Sequence, residues 1–311
     1  MSVGSQTGGT GIITPDVVPS LLSRIDRMWL RANRHKGVLE EFFETVAIGK
    51  GHGLQHIINS VGRVAENPRI AQDTDEQPLM TPLQGLPKTF TQVNYRLGVQ
   101  VTDTMLAVDR YAKIEEMVSG LPMSAVRKRE YLRAGILNNA FTGTDGADGK
   151  SLIADDHPQF DPDVDPWDNL GTGDLTGSNL QSLLLLADVM KDERGNPDPQ
   201  TIMRVVVPPQ LRQKGLELIG STLDAETDLN TNTVIIDRLK LLVSHFLTSE
   251  SAYFGFGTAM GEEKGLLDVV VEEPFMINNN PTNALIRIDK QIKFMNAVGF
   301  TVSKNIYASA G

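Results

Sequence analysis

Residues 72–101 read QDTDEQPLMTPLQGLPKTFTQVNYRLGVQV, and the change of pattern inside this stretch decides the fold. Its first part, Gln72 to Lys88, carries three prolines and one glycine, and prolines at this density exclude a central strand. Its second part, Phe90 to Val101, alternates apolar and polar side chains, which predicts a half-buried strand. We therefore expect an extended arm or edge ribbon that leads into a strand. An arm with little core of its own needs a second subunit to lie on.

A long helical pattern follows this strand. Apolar side chains recur every three or four residues through residues 109–142, and Gly143 is the expected stop. Gly120 and Pro122 interrupt the pattern, so a kinked helix and two separate helices both remain open. The order of arm, strand and long helix favours self-assembly over catalytic turnover.

The second half of the chain reads as a mixture of helices and strands, which makes the whole chain α+β. We predict helices at 179–190, capped by Ser178 or Asn179, and at 211–219. We predict strands at 201–207, 239–244, 252–257, 266–272, 284–294 and 298–307.

An acidic loop, residues 144–174, separates the long helix from this second half. It holds nine aspartates and a single basic residue, Lys150. Because these carboxylates repel one another, we expect the loop to be mobile or to pack against basic groups of a neighbouring copy, such as Arg127 to Arg133.

Composition excludes several classes of protein. The net charge of −10, from 29 basic and 39 acidic residues, argues against a dedicated nucleic-acid binder. The absence of cysteine excludes disulfides, thiolate catalysis and cysteine-based zinc sites. No apolar run is long enough for a transmembrane helix, and the uncharged start lacks the features of a signal peptide. We therefore expect a soluble product of the cytoplasm.

Positive charge is nevertheless concentrated in two stretches. Residues 24–36 hold five basic side chains and one aspartate, and residues 127–133 hold four basic side chains and one glutamate. Such charge runs are most often solvated helix faces. A helix start at Thr14 and Pro15 precedes the first stretch.

The candidate metal ligands form weak patterns. Asp155, Asp156 and His157 have suitable chemistry, but adjacent residues cannot all point at one ion. His52 and His56 have the spacing of a helical ligand pair, but the glycines around them resist helix formation.

The sequence also contains the first half of a calcium-binding loop pattern without its second half. Asp161, Asp163 and Asp165 match its first half, whereas Pro166 stands where the loop requires glycine and Thr172 where it requires glutamate. No phosphate-binding or hydrolase motif is present in the sequence.

Several phrases near and beyond the end of the long helix resemble those of a known family, the major capsid proteins of tailed bacteriophages. The resemblance runs from about Val38 to the C-terminus. The phrases are LNNAFTG (137–143), DGKSL (148–152), DHP (156–158), DERG (192–195) and VVVPP (205–209).

The resemblance implies an α+β Hong Kong 97-type capsid fold with discontinuous domains. Its expected parts are an N-terminal arm at 1–37, an extended loop at 66–88, an axial domain at 178–275, and a peripheral domain formed by 38–65, 89–177 and 276–311 with a spine helix at 109–142.

The resemblance also implies a function. Copies of the chain would form hexamers and pentamers of an icosahedral head shell around double-stranded DNA, without catalysis, cofactor or metal. The implied partners are further copies of itself, a scaffolding protein, a portal, a decoration protein, and DNA contacted without sequence specificity, with no membrane. Assembly in the host bacterial cytoplasm and a final place in the virion follow from the same resemblance.

Contacts between subunits are expected from the extended loop and from the two basic stretches. The residues are Asp73, Asp75, Glu76, Leu79, Met80, Leu83 and Lys88 in the loop, and Arg24, Arg27, Arg31, Arg127, Arg129 and Arg133 in the basic stretches. Some members of the resembled family carry lysine–asparagine cross-links. No acceptor asparagine can be assigned to Lys88 here, so we expect a shell held without covalent bonds.

Two alternatives stay open. An encapsulin-like bacterial nanocompartment shell shares the implied fold, and a cargo peptide bound to its inner wall would favour it. An oligomeric metal-dependent enzyme that uses Asp155, Asp156 and His157 is the alternative of a different class, and one tightly bound metal ion per chain would favour it.

Overall fold

A computed structural model of the chain describes residues 27, 37–49, 51–61, 84–108, 113–220, 239–258, 265–279, 286–301 and 304–311. The helices in these ranges are α1 (Asp103–Val108), α2 (Lys113–Asn138), α3 (Gly177–Asp188) and α4 (Arg212–Gly220). The strands are β1 (Glu44–Ala47), β2 (Gln55–Val61), β3 (Gln84–Thr91), β4 (Val93–Thr102), β5 (Leu170–Gly171), β6 (Thr201–Val207), β7 (Lys240–Val243), β8 (Tyr253–Thr258), β9 (Leu266–Asn279), β10 (Ile286–Phe300) and β11 (Ile306–Ser309). None of these helices is long and apolar enough to span a bilayer.

The strands form three sheets. Their orders are β1-β9-β10-β4, β5-β11-β8-β6-β7 and the two-stranded ribbon β2-β3. The chain divides into two compact units, of which the first contains Val93–Arg129 and Val271–Asn296. The second contains Val38–Gln92, Glu130–Val270 and Ala297–Gly311. These boundaries differ from the expected domain boundaries, which stay a prediction.

In the first unit, helix α2 packs on the antiparallel strands β4 and β10. Leu121 and Ala125 of α2 form one apolar cluster with Ile292 and Phe294 of β10. Tyr95 of β4 stacks on Phe294 with 5.0 Å between the ring centroids. On the apolar face of β4, Tyr95 and Val99 are half-buried against this cluster, whereas Val93 and Leu97 stay exposed.

The strand predicted for residues 90–101 is divided in two. Phe90 and Thr91 end β3, and β4 begins at Val93. Gln92 between them is buried. Its backbone N–H donates to the Leu54 carbonyl at 2.8 Å, and its side chain donates to the Val269 carbonyl at 3.2 Å. The alternation of apolar and polar residues alone predicts one strand, and the hydrogen bonds of Gln92 mark the break between the two strands that are present.

Helix α2 runs without a break through Gly120 and Pro122, which excludes two separate helices. It ends at Asn138, four residues before the predicted end. The N–H groups of Thr142 and Gly143 both donate to the Asn139 carbonyl, at 3.2 and 3.0 Å, so the chain turns there instead of continuing the helix. The predicted start at residue 109 lies outside the described residues.

The five-stranded sheet is the centre of the second unit. Strand β6 pairs parallel with β7 and antiparallel with β8, and β11 lies between β5 and β8. Val205 and Val207 belong to one apolar cluster with Leu183 of α3, whereas Val206 belongs to another with Phe254 of β8. Because both faces of the second half of β6 are buried, Val205 to Val207 form a continuous apolar run. The predicted bounds of β6 are confirmed.

Two strands at the end of the chain differ from the prediction. Residues 284–294 and 298–307 do not form a pair, because β10 continues to Phe300 and β11 joins the other sheet. The ring of Phe90 closely approaches the backbone of β10 at Gly299. A Cβ atom there would lie 2.8 Å from the Phe90 ring, so only glycine lets that ring pack against the strand.

The ribbon β2-β3 has the expected edge character. Pro87 of β3 faces Asn59, and proline is tolerated in such a ribbon because one edge of it needs no hydrogen bond. Phe90 packs against Leu267 and Val269, whereas Ile57 on the opposite face is 67% exposed. Residues 62–83, which contain most of the expected extended loop, lie outside the described residues.

Helix α3 begins earlier than expected. Its N-cap is Thr176, whose side-chain oxygen accepts the N–H of Asn179 at 3.2 Å, so the predicted caps Ser178 and Asn179 lie in the first turn.

We predict that Thr176→Ala lowers the free energy of unfolding by about 1 kcal/mol, because one N–H at the start of α3 loses its acceptor. Urea unfolding followed by circular dichroism measures the change. Thr172→Ala, which alters an exposed loop threonine, is the control and should stay within about 0.5 kcal/mol of the wild type. Equal effects of the two substitutions would contradict the assigned cap.

Candidate functional site

A buried cluster of charges lies inside the second unit around Arg133 of α2, whose side chain is 1% exposed. Its Nη2 donates to Asp268 Oδ2 at 2.9 Å, and its Nη1 donates to Glu130 Oε1 at 3.0 Å. Glu40 Oε2 accepts a third, longer bond from Nη1 at 3.4 Å. The second oxygen of Glu130 accepts the backbone N–H of Leu39 at 3.1 Å.

This cluster ties together three distant segments, which are the chain around Leu39, helix α2 and strand β9. Burial by itself lowers the pKa of Arg133. The nearby charge of Asp268, together with the hydrogen bond to Glu130, outweighs burial and raises that pKa above its usual value. Three carboxylates around one guanidinium leave negative charge in excess, so the cluster depends on its single cation.

The prediction that Arg133 contacts another subunit is wrong, because its side chain is enclosed by its own unit. Arg127, six residues earlier on the same helix, is exposed. Arg129 forms an ion pair with Glu273 of the first unit, with 3.3 Å between Nη1 and Oε2. Arg127 and Arg129 therefore stay predicted contact residues.

The other predicted contact residues are only partly described. Arg27 is exposed and helical. Lys88 is half-buried, and its amine donates to the carbonyl of Asp145 in its own chain. The rest lie outside the described residues, namely Arg24, Arg31, Asp73, Asp75, Glu76, Leu79, Met80 and Leu83.

The acidic loop is folded into the second unit, so the expectation that it is mobile is wrong, whereas its packing against basic groups of a neighbouring copy stays a prediction. Asn169 in the loop is fully buried. Its Nδ2 donates to the carbonyls of Leu152 and Ile306, both at 2.9 Å, and its Oδ1 accepts the N–H of Ala154, also at 2.9 Å. One amide side chain therefore fastens two parts of the loop to strand β11.

His157 is a second internal anchor of the loop and is 3% exposed. Its Nδ1 lies 2.7 Å from Asp148 Oδ2, and its ring stacks on Trp167 at 4.2 Å between centroids. Burial would raise the pKa of Asp148. The hydrogen bonds from His157 and from the N–H of Lys150 prevail and hold that pKa below its usual value.

The three adjacent candidate ligands point to different places. His157 turns inward, whereas Asp155 and Asp156 are exposed and Asp156 binds the amine of Lys150. In the ranges that the structure describes, no group of three His, Asp or Glu side chains is placed to hold a metal ion.

The other two candidate patterns also serve local structure. Asp161 Oδ1 accepts the N–H of Asp163 at 3.1 Å, which closes a turn. His56 is buried on strand β2 and His52 lies exposed before that strand, so the two do not share a helix face.

Sequence reasoning missed a half-buried lysine in the second unit. The Nζ of Lys304 donates to Gln159 Oε1 at 2.9 Å and to the Lys191 carbonyl at 3.0 Å, and it lies 3.5 Å from Glu193 Oε1. Burial lowers the pKa of Lys304, although the charge of Glu193 opposes this shift. Because these partners are more than 100 residues away along the chain, no local pattern points to them.

Comparison with families of known proteins gives one match over most of the chain. The family model described as "Phage capsid protein" matches residues 87–302. None of the curated protein sequences matches the chain.

Several solved structures of similar fold are phage capsids. The capsid of the Cyanophage P-SCSP1u has a TM-score of 0.59 and 11% identity, and the match covers 88% of each chain. The capsid of Ralstonia phage GP4 has a TM-score of 0.57 and 8% identity over 86% of each chain. The capsid of bacteriophage JBD30, decorated with minor capsid protein trimers, has a TM-score of 0.50 and 14% identity over 76% of this chain and 100% of that one. The predicted Hong Kong 97-type fold is thus confirmed.

We predict that Arg133→Met lowers the free energy of unfolding by about 3–5 kcal/mol, because it leaves buried carboxylates without their cation. Arg127→Met is the matched control on the exposed side of α2 and should change the free energy of unfolding by less than about 0.5 kcal/mol. Urea unfolding measures both. Adding Asp268→Asn to Arg133→Met should recover part of the loss, since it removes one uncompensated charge. A double variant less stable than Arg133→Met would contradict the ion pair.

A second prediction concerns acid stability. The pKa of Asp148 is lowered by folding, so its bond to His157 stabilises the protein above the ordinary aspartate pKa of about 3.9 and is lost as pH falls through the folded pKa. Asp148→Asn should lower the free energy of unfolding by about 1–3 kcal/mol at neutral pH, and by progressively less below about pH 4. Unfolding curves at several pH values test this, with exposed Asp155→Asn as the control. A difference independent of pH would contradict the assignment.

Proposed function

The chain belongs to the phage capsid protein family and is a shell protein of a bacteriophage head, and we propose that its copies assemble as hexamers and pentamers into a closed icosahedral shell. The observation that carries this proposal is the family match over residues 87–302, which include helix α2, the acidic loop and most strands of both large sheets.

The two alternatives have less support. A capsid protein is structural and not an enzyme, and the divergent directions of Asp155, Asp156 and His157 give the metal-enzyme alternative no site. The nanocompartment alternative is weaker than the capsid because the matched family is one of phages.

We assign the domain roles as a proposal. Residues 1–37 act as the N-terminal arm, residues 66–88 as the extended loop that lies on a neighbouring copy, α2 as the spine helix, and residues 178–275 as the axial domain. The open face of the β2-β3 ribbon supports the role of the loop, since Ile57 is exposed there and a ribbon of two strands is only marginally stable by itself.

The outer face of α3 supports the axial role. Leu185 and Val189 are both exposed and lie one helical turn apart. Neighbouring apolar side chains on an open helix face favour contact with another protein surface. In a capsomer, that surface belongs to the adjacent subunit.

The proposed partners complete this picture. A scaffolding protein guides assembly in the host bacterial cytoplasm, a portal occupies one vertex, and a decoration protein binds outside, as minor capsid protein trimers do on the JBD30 capsid. The DNA inside is contacted without sequence specificity. The charge of −10 on each copy supports weak DNA contact, because a predominantly acidic lining repels phosphate.

We predict that the purified protein forms capsomers, shells or tubes, because the extended loop needs a neighbouring surface to offset an ordering cost of about 1–2 kcal/mol per residue. Negative-stain electron microscopy and analytical ultracentrifugation test this. Protein that stays strictly monomeric at high concentration, both alone and with its scaffolding protein, would contradict the proposed shell.

Replacing residues 73–83 by a Gly-Ser linker should abolish closed shells and leave the subunit folded. This change removes the proposed contacts from Asp73 to Leu83 and keeps all of strand β3. Thermal unfolding by circular dichroism checks the fold, and electron microscopy checks the shells. Loss of cooperative unfolding would show that this segment belongs to the core of its own subunit.

A further inference from the structure

Strand β4 presents a long open edge in the first unit. It is the last strand of the four-stranded sheet and pairs with β10 on one side, and within the described ranges its other side has no partner strand. Six of its ten residues are exposed, among them Val93 at 47% and Leu97 at 51%. The strand has no proline and a single charged side chain, Arg96. The usual protections of a free strand edge are therefore sparse, and such an edge accepts a further strand.

The surroundings of this edge are basic. Arg96 is exposed on the strand, and the amine of Lys128 lies 5.2 Å from the centre of the Tyr95 ring beside it. A second copy of β4 would add a like charge at the same edge, and the basic stretch 24–36 would add several. Residues 72–76, in contrast, hold three carboxylates and no cation. Charge therefore favours the extended loop as the partner of β4.

The prolines of the extended loop fit an outer position in such a pairing. Successive N–H groups of a strand point to opposite edges, so Pro78 and Pro82, four residues apart, lack their N–H groups on the same edge. The other edge keeps its donors, which belong to the odd-numbered residues of 77–83. A segment with this spacing can bond a neighbouring strand on one side and needs no partner on the other.

The loop is also long enough to leave its own subunit. Strands β2 and β3 are paired at Val61 and Gln84, and residues 62–83 between them lie outside the described residues. Half of this segment, when extended, reaches roughly 35 Å. That length is about the diameter of a small domain, so the segment can reach the surface of a second copy.

We propose that residues 77–83 of one copy add as an outer strand to the open edge of β4 in a neighbouring copy. Backbone hydrogen bonds supply the affinity, and the apolar side chains of the loop cover Val93 and Leu97. The carboxylates of residues 72–76 lie against Arg96. The inference rests on the proposed shell, which brings copies of the chain together, and it names the surface on which the extended loop lies.

Two proline substitutions in the full chain test the backbone pairing. Leu79→Pro removes a donor that faces β4, and it should raise the protein concentration needed for assembly by about tenfold, because a carbonyl of β4 loses its hydrogen bond. Met80→Pro is the matched control, since it removes the next donor along, which lies on the outer edge, and it should assemble near the wild-type threshold. Light scattering and electron microscopy follow assembly, and circular dichroism confirms that both variants are folded. Equal thresholds for the two variants would contradict the pairing.

Thiol cross-linking tests which surface the loop meets, and the chain offers a clean background because it has no cysteine. Subunits with Leu97→Cys are assembled together with subunits that carry Met80→Cys, and a short thiol-specific bifunctional reagent is added. We expect a species of twice the chain mass on a denaturing gel, well above the amount that either variant gives when assembled alone. Leu216→Cys is the matched control for Leu97→Cys, since Leu216 on α4 is 52% exposed, and its mixture with Met80→Cys should give only this background.

Two results of the cross-linking would overturn the inference and leave shell assembly intact. One is a mixture with Leu97→Cys that gives no more of the doubled species than the mixture with Leu216→Cys. The other is a chain carrying both Met80→Cys and Leu97→Cys that cross-links to itself before assembly, since its own loop then covers β4. Wild-type protein that never assembles would instead overturn the proposed function, and this inference with it.

Discussion

The second unit depends on the charged hydrogen bonds that the guanidinium of Arg133 donates to Glu130 and Asp268. It reaches Asp268 across 135 residues of chain, and its partner Glu130 holds the N–H of Leu39 across 91 residues. Without the cation, buried Glu130 and Asp268 and half-buried Glu40 would repel one another, which would destabilise the meeting of strand, helix and the chain around Leu39. The cluster therefore anchors the chain that directly follows residue 37, where the proposed N-terminal arm ends.

Local patterns were sufficient for much of the secondary structure. The apolar run predicted the bounds of β6. The helical periodicity predicted α2 but placed its end four residues too late. Patterns failed where a distant partner decides the outcome. Arg133 lies in a basic stretch that reads as a solvated face, and only the position of Asp268 turns it inward. The need for glycine at position 299 also had no local signal, because nothing near it in sequence indicates the ring of Phe90.

The acidic loop shows why counting charges misled the prediction. Nine aspartates suggested repulsion, yet several of these carboxylates accept backbone N–H groups two residues later, as Asp148, Asp161 and Asp168 do. A short carboxylate that closes its own turn is stabilised by hydrogen bonds and needs no cation. These three aspartates directly precede a glycine, a proline and an asparagine, and that sequence pattern could have predicted the turns. The inward direction of His157 and Asn169 had no such signal, since Asn169 is held by the carbonyl of Ile306, far along the chain.

The position of β11 has a consequence for how the protein is made. This strand is the last element in chain order, yet it lies between β5 and β8 in the sheet. During synthesis, β8 has no partner on that side until residues 306–309 leave the ribosome, so the sheet can close only after these residues have emerged. A chain cut short before Ile306 would present an open strand edge, which is a surface prone to aggregation. The order of the strands thereby delays closure of this sheet until β11 has been made.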